Sequence, residues 1–287
     1  MFEDILVPTD GSDCAAAAVE YAAELAARYG ARVYVLSVVD SRAFDDMPHR
    51  ETVEAAAEET VAGVRDDLAD AGVTAETAVR VGIPHREVLD YADENEIDLV
   101  AMGTHGRTGV ERYLLGSVTE KVVRLSDVPV LTVPGTDGAD TQFSEVLVPT
   151  DGSEQAEAAV GVGTDVADTY SARLHALSVV EPAALGLDVR SEMLIDALGE
   201  AAQAAVERVA ERATAAGVTD VETDVRYGYP YREVLNYADE NEVDLVAMGT
   251  HGRTGIARYL LGSVTEKVVR TAGVPVLTVR APEAGES

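Results

Sequence analysis

Two arrays of glycine and serine in this chain have the spacing and the position of a loop that binds phosphate groups. Both follow the pattern G-x2-G-x9-G-S, between an apolar, strand-like run and a helix start. The arrays comprise Gly103, Gly106 and Gly116-Ser117 in the first half of the chain and Gly249, Gly252 and Gly262-Ser263 in the second half. Glycine allows positive φ and close approach of backbone N–H groups to an anion, and a helix N-terminus favours a phosphate. The chain therefore encodes two phosphate sites, or one site and a retained second loop.

Both arrays belong to a long internal repeat. Residues Pro84–Arg124 recur as Pro230–Arg270 with five substitutions, and none of these falls on a glycine or serine of the arrays. The segment VPTDGS also recurs, at Val7–Ser12 and Val148–Ser153. The second copy carries about five additional residues after its second strand, where loops border the ligand crevice in such folds. This organisation predicts a first domain at 1–134, a linker at 135–143, a second domain at 144–280 and a tail at 281–287.

Strand and helix patterns alternate within each half. In the first half they predict strands at Asp4–Val7, Arg32–Val38, Ala75–Arg80, Leu99–Met102 and Val128–Val133, and helices at Ser12–Tyr29, Arg50–Ala71, Arg86–Asn95 and Ser117–Leu125. The strands are short and nearly all apolar, as in parallel sheets that are buried on both faces. The predicted class is α/β, with helices on both faces of a parallel sheet in each half.

The composition restricts the partners of the chain. Its net charge is −30, from 52 acidic and 22 basic residues, and this charge repels nucleic acid. The charge serves solubility alone, or it reflects adaptation to high salt; the presence of only two lysines, Lys121 and Lys267, favours high salt. We expect no membrane span, because no run of about 18 apolar residues occurs. The chain also enters its first strand at once, without a signal peptide, so the expected location is the cytoplasm.

Together, the LVPTDGS segment, the strand ending in SVV, the glycine array and the final VPVLTV strand resemble the universal stress protein family. The resemblance is to its ATP-binding branch, in a tandem two-domain form, and it covers nearly the whole chain. It implies two Rossmann-like domains, each with a five-stranded parallel sheet of order 3-2-1-4-5. It also implies that an adenine nucleotide, ATP above all, lies over the carboxyl ends of strands 1 and 4 in each domain. A role in stress regulation or sensing follows from the same resemblance.

The resemblance assigns the nucleotide contacts to matching positions in both halves. In the first half these are Pro8, Asp10, Val38, Met102, Gly103, Gly106, Arg107, Gly116, Ser117 and Val118. In the second half these are Pro149, Asp151, Val179, Met248, Gly249, Gly252, Arg253, Gly262, Ser263 and Val264. The aspartate would contact the nucleoside, the backbone of the valine at 38 or 179 would meet adenine, and the glycine–serine loop would hold ribose and phosphates. No metal-ligand cluster is predicted, so any Mg²⁺ would be held mainly by phosphate oxygens.

Purely structural interpretations remain open for several of these residues. Ser117 and Glu120 have the spacing of a capping box, and Asp10 begins a common turn before a helix. For His105, and equally for His251, a hydrogen bond that shapes the loop is the preferred interpretation. For Arg107 and Arg253, a phosphate contact and a solvated side chain are equally favoured.

Two other function classes compete with nucleotide binding by a regulator. An adenylating or phosphoryl-transfer enzyme would need a positioned base or nucleophile and positive charge at the transition state. The phosphate loop has no lysine, and no S-G-G-x-D-S segment follows the first strand, so slow ATP hydrolysis is the most we expect. The third class is a structural pair of domains that binds nothing. The family also implies a pseudo-dimer between Val128–Val133 and Val274–Val279 within the chain, and a homodimer remains open.

Overall fold

A computed structural model describes residues 1–43, 50–106, 115–135, 141–181, 192–252 and 261–281. Its contacts divide the chain into two compact units, Met1–Thr141 and Gln142–Ser287. Within the residues that the structure describes, no helix combines the length and the apolar character that a membrane span needs.

Both units consist of alternating strands and helices. The first unit contains β1 (Asp4–Pro8), α1 (Asp13–Tyr29), β2 (Arg32–Asp40), α2 (Arg50–Asp70), β3 (Ala75–Gly82), α3 (Pro84–Glu94), β4 (Leu99–Gly103), α4 (Ser117–Leu125) and β5 (Val130–Val133). The second unit contains β6 (Glu145–Pro149), α5 (Glu154–Tyr170), β7 (Arg173–Val180), α6 (Glu192–Ala216), β8 (Val221–Tyr227), α7 (Pro230–Glu240), β9 (Leu245–Gly249), α8 (Ser263–Thr271) and β10 (Val276–Val279). The predicted α/β class is confirmed.

Local chemistry explains several helix and strand ends. Ser12 caps α1 by accepting a hydrogen bond from the Ala15 N–H at 3.4 Å, and Gly30 ends it in the left-handed region at φ 70°. Helix α3 was predicted to begin at Arg86, but it begins at Pro84, because proline suits the first helical position, where no N–H donor is needed. Strand β5 was predicted from Val128, but it begins at Val130, since the Ser126 hydroxyl donates to the Val128 carbonyl at 2.7 Å in a turn.

Each unit contains a parallel sheet with the same strand order. In the first unit, β2 pairs with β1 and β3, and β4 pairs with β1 and β5, which gives the order β3-β2-β1-β4-β5. In the second unit, the corresponding pairs give β8-β7-β6-β9-β10. The direction of strand addition reverses between β1 and β4, and between β6 and β9. In open parallel sheets, ligands bind in the crevice at the carboxyl ends of such strands.

The cores consist of the central strands and the helices that cover them. In the first unit, Ile5, Leu6 and Val100 have no exposed surface. Helix α1 packs on β1, β4 and β5 and contacts α2, while α3 packs on β2 and β3 and contacts α4. Right-handed crossovers place these two helix pairs on opposite faces of the sheet. Small buried residues of α1, such as Ala18 and Ala22, let the helix backbone approach the sheet.

Candidate functional site

The loop after β1 holds Asp10 at the edge of the crevice. The Asp10 Oδ1 atom accepts a hydrogen bond from the Ser12 N–H at 3.1 Å, and the Thr9 hydroxyl accepts one from the Gly11 N–H at 3.1 Å. Gly11 adopts φ 74°, which lets the chain turn sharply before α1. The turn interpretation of Asp10 is therefore confirmed. This turn leaves the second carboxylate oxygen, Oδ2, directed at Gly106.

The second unit repeats this loop with nearly the same distances. Asp151 Oδ1 accepts from the Ser153 N–H at 3.0 Å, and the Thr150 hydroxyl accepts from the Gly152 N–H at 3.1 Å. Gly152 also adopts φ 74°. The two domains therefore present an aspartate in the same way.

Glycine is needed in the arrays for space and not for positive φ. None of the described array glycines adopts the left-handed region. A Cβ atom at Gly103 would lie 2.7 Å from backbone atoms of Cys14, and one at Gly106 would lie 2.5 Å from Asp10 Oδ2. Real Cβ atoms do not approach other atoms this closely, so these two positions keep α1 and the aspartate against the loop.

Helix α4 presents free backbone N–H groups to the crevice. Its N-cap is Gly116, whose N–H donates to the Thr104 carbonyl at 2.7 Å, and the first intrahelical bond runs from the Glu120 N–H to the Gly116 carbonyl at 2.9 Å. The N–H groups of the first three helical residues, from Ser117 onward, therefore lack an acceptor within the helix. Thr119 anchors the helix to β4, since its hydroxyl donates to the Gly103 carbonyl at 2.9 Å.

The capping box predicted for Ser117 and Glu120 is wrong. Ser117 is the first helical residue and not the cap, and no side chain caps the helix. Ser263 occupies the same position in α8, whose N-cap is Gly262. The serine hydroxyls are thus not used as caps, and the exposed Ser117 side chain lies beside the free N–H groups.

These loops surround a cavity at the carboxyl edge of each sheet. The first cavity, of about 240 Å³, is lined by Pro8, Thr9, Asp10, Ala15, Leu36, Val38, Pro84, Val88, Met102, Gly103, His105, Gly106, Gly116, Ser117, Val118 and Thr119. The second cavity, of about 290 Å³, is lined by Pro149, Thr150, Asp151, Ala156, Leu177, Val179, Glu181, Pro230, Val234, Met248, Gly249, His251, Gly252, Gly262, Ser263, Val264 and Thr265. Both volumes are slightly below the usual range of about 300–1,000 Å³ for ligand pockets.

Every predicted cofactor-binding residue that the structure describes lines one of these cavities. Arg107 and Arg253 lie outside the described residues. The sequence interpretation missed the contribution of helix α3, through Pro84 and Val88, and the matching contribution of α7. The start of the repeated block at Pro84 was the available signal.

His105 forms the hydrogen bond that was expected to shape the loop. Its Nδ1 lies 2.9 Å from the Thr104 hydroxyl, and His251 Nδ1 lies 3.0 Å from the Thr250 hydroxyl. Burial lowers the pKa of His105, so its ring is neutral at pH 7. The Nε2 atoms of both histidines are buried and have no partner among the described residues. Each histidine that lines a cavity thus has one buried imidazole nitrogen without a hydrogen-bond partner among the described residues.

Basic residues surround His85, which follows Pro84 of the cavity lining. Burial lowers the pKa of His85, and the charges of Lys121 and Arg86 lower it further. Arg42 bonds to the Asp40 carboxylate and lowers the pKa of that group.

The lining of the first cavity contains groups that can bind a ligand but few groups that can catalyse a reaction. Its described lining contains one carboxylate, Asp10, one neutral imidazole, His105, and no lysine or cysteine. Among the described residues, no group of three or more histidine, cysteine or acidic side chains is arranged to hold a metal ion. The apolar residues suit a planar base, the aspartate suits a hydroxyl donor, and the helix N-terminus suits a phosphate.

Comparison with known proteins finds one family in both halves of the chain. The model of the family described as "Universal stress protein family" matches residues 1–134 and 142–280. A universal stress protein of Methanocaldococcus jannaschii is 35% identical over 140 residues, which cover 46% of this chain and 82% of that protein. A universal stress protein of Synechocystis is 26% identical and covers 97% of this chain and 100% of its own length.

A solved structure has the same fold over nearly the whole length. The crystal structure of a universal stress protein from Archaeoglobus fulgidus is 26% identical, with a TM-score of 0.77. The alignment covers 97% of this chain and 98% of that one.

Proposed function

Because this chain belongs to the universal stress protein family, with one family domain in each half, we propose that it binds one adenine nucleotide per domain and acts as a stress-response regulator or sensor. ATP is the proposed ligand, and its occupancy would change the conformation or the partners of the protein. The observation that carries this proposal is that two separate cavities each combine an aspartate, a glycine array and a helix N-terminus at the switch point of a parallel sheet.

The chemistry of the lining favours a nucleotide over a simple anion. In the first domain, Leu36, Val38 and Met102 offer apolar surface for a base. Asp10 lines the cavity and offers a carboxylate to a ribose hydroxyl or the adenine amino group. The free N–H groups at the start of α4 would hold phosphates.

The enzyme alternative finds less support. A phosphoryl-transfer site needs charge stabilisation at the reacting phosphate, and the described lining of the first cavity offers only backbone dipoles and a neutral histidine. We therefore propose binding with, at most, slow hydrolysis. Any Mg²⁺ would be coordinated mainly by the phosphates.

Asp10→Asn is expected to weaken ATP binding at the first site roughly tenfold or more, since a hydrogen bond to a charged group is lost from the complex. The amide oxygen of asparagine can still accept from the Ser12 N–H, so the turn should persist. Isothermal titration calorimetry with ATP and Mg²⁺ measures the effect, and Asp151→Asn tests the second site in the same way.

The control for this experiment is Asp13→Asn. It makes the same chemical change at an exposed position of α1 that does not line the cavity. Unchanged affinity in Asp10→Asn and Asp151→Asn, or an equal loss in Asp13→Asn, would refute the proposed role of the two aspartates.

We also propose a habitat, a location and a mode of association for the protein. Adaptation to high salt is supported by the net charge of −30, and a location in the cytoplasm would suit a nucleotide-binding regulator. Association through Val128–Val133 and Val274–Val279, like the existence of a homodimer, is inferred from the family.

A further inference from the structure

The two domains differ in aromatic residues at the segment that joins the third strand of each domain to the next helix. Pro230 and Val234 of α7 line the second cavity, and three tyrosines surround this helix start: Tyr227, Tyr229 and Tyr231. At the matching positions the first domain has Val81, Ile83 and His85. Tyr231 replaces His85 at one of the five positions that differ within the repeat, and Tyr227 and Tyr229 lie just before it.

Two of these rings are exposed to an unusual degree. Tyr227 is 54% exposed and Tyr229 is 52% exposed, and both belong to the few large apolar side chains that the described part of the chain presents to solvent. The Tyr227 hydroxyl lies over Gly199 of α6, which fixes that ring against the domain. Tyr229 precedes the first residue of α7 and is its N-cap. An exposed aromatic ring beside a ligand cavity is a stacking surface for a second planar group.

Two cations accompany the tyrosines. The Arg232 guanidinium lies 5.3 Å from the Tyr229 ring centre and 5.7 Å from the Tyr231 ring centre, and its Nε donates to the Tyr231 hydroxyl at 2.9 Å. The Lys267 ammonium lies 4.6 Å from the Tyr231 ring centre. Within the described ranges, neither cation forms an ion pair with a carboxylate, whereas nearby Arg226 pairs with both Asp224 and Glu240.

This cluster lies next to the place where phosphates would bind. Lys267 is four residues into α8 from Ser263, or about 6 Å along the helix axis. Ser263 and Val264 line the second cavity at the N-terminus of that helix. Helices α7 and α8 contact each other, and the Lys267–Tyr231 contact joins them. The contacts between α7 and α8 thus link α8, through Lys267 and Tyr231, to Arg232 and the Tyr229 ring.

We propose that the second cavity binds a dinucleotide ligand, in which two bases are joined through a phosphate chain, and that the second base stacks on Tyr229. The proposal rests on the proposed function, since the first base and its phosphates occupy the adenine nucleotide site. The first domain lacks the rings and takes a mononucleotide. The two domains of the chain would thus bind two related ligands, a mononucleotide in the first domain and a dinucleotide in the second.

The test compares two ligands with equal numbers of phosphates. Adenosine 5′-tetraphosphate and P1,P4-di(adenosine-5′) tetraphosphate are titrated by calorimetry into the full chain carrying Gly106→Val, which closes the first site. The dinucleotide is expected to bind roughly tenfold tighter, the contribution of one base stacked on an aromatic ring. The mononucleotide carries the additional terminal phosphate charge, so simple attraction to the cations would produce the opposite order.

Two variants locate the effect. Tyr229→Ile, which installs the residue of the first domain, should bring the ratio of the two affinities to about one; the exposed position makes misfolding unexpected, and circular dichroism checks it. The chain with Gly252→Val, in which only the first site is open, should show no preference. Equal affinities in the Gly106→Val chain, or a preference that survives Tyr229→Ile, would overturn the proposal. Failure of both ligands to bind any chain would instead refute nucleotide binding itself.

Discussion

Gly106→Val is expected to reduce the number of nucleotides bound per chain from about two to about one, because it closes the first site without unfolding its domain. Gly106 and Asp10 both line the cavity, and a Cβ atom at position 106 would lie 2.5 Å from Asp10 Oδ2; valine adds two methyl groups to that atom. The atom that must move is the end of a side chain, which shifts at little cost to the fold. The displaced carboxylate can then no longer face a nucleoside. Titration with ATP measures the stoichiometry.

The second domain provides the matched variant. At Gly252 a Cβ atom would lie 2.8 Å from Asp151 Oδ2, so Gly252→Val should close the second site alone. The double variant should bind no nucleotide while retaining the circular dichroism spectrum of the parent. Two bound nucleotides in either single variant would contradict the assignment of the cavities as the binding sites.

Gly103→Ala is expected to destabilise the first domain by about 1–3 kcal/mol, the usual cost of forcing an additional methyl group into a packed region. The new Cβ atom would lie 2.7 Å from the backbone carbon and oxygen of Cys14, and backbone atoms in a helix cannot move aside as a side chain can. Gly249→Ala should cost the second domain less, because a single atom, the Gln155 carbonyl oxygen, lies within 3.0 Å there. Urea unfolding followed by circular dichroism measures the free energy of unfolding.

Gly63→Ala serves as the control for these alanine variants. Gly63 lies inside α2 and is exposed, and a Cβ atom added there would have no neighbouring atom within 4 Å. Alanine at this position should stabilise the domain by up to about 1 kcal/mol through its higher helix propensity. If Gly103→Ala were as stable as Gly63→Ala, the close approach of α1 to the glycine array would not be real.

Much of this fold and site could be predicted because the chain repeats its own motifs. The structure around Asp10 could be predicted because Asp-Gly-Ser before an alanine-rich helix favours an Asx turn followed by an N-cap. The glycine array marked the end of β4 and the start of α4, and α4 spans the predicted residues Ser117–Leu125. These features depend on contacts between residues close in sequence.

The capping box at Ser117 shows where a local motif misleads. Ser-x-x-Glu has the right spacing, but the cavity wall requires Gly116 in an extended conformation at φ −61° and ψ 141°, which makes glycine the cap and moves serine into the helix. The hydrogen bond from the Gly116 N–H to the Thr104 carbonyl determines at which residue the helix begins. No sequence pattern predicts this tertiary contact.

Contacts between particular side chains that lie far apart in sequence and outside the family's motifs could not be predicted. His175, which is 1% exposed, places Nε2 2.7 Å from Glu145 and Nδ1 2.9 Å from the Tyr237 hydroxyl, partners that lie 30 and 62 residues away in sequence. The cluster of Tyr229, Arg232 and Lys267 depends in the same way on the contact between α7 and α8. Neither group forms a motif along the chain.

The central claim is that both domains bind an adenine nucleotide, and the number of nucleotides bound by the unmodified chain tests it most directly. The full chain is saturated with ATP and Mg²⁺ in high salt, the unbound ligand is removed, and the nucleotide released by denaturation is quantified against protein. The two cavities predict about two adenine nucleotides per chain. A chain that retains no nucleotide, and gives no heat of binding on titration with ATP, would contradict the account and favour a structural role for the paired domains.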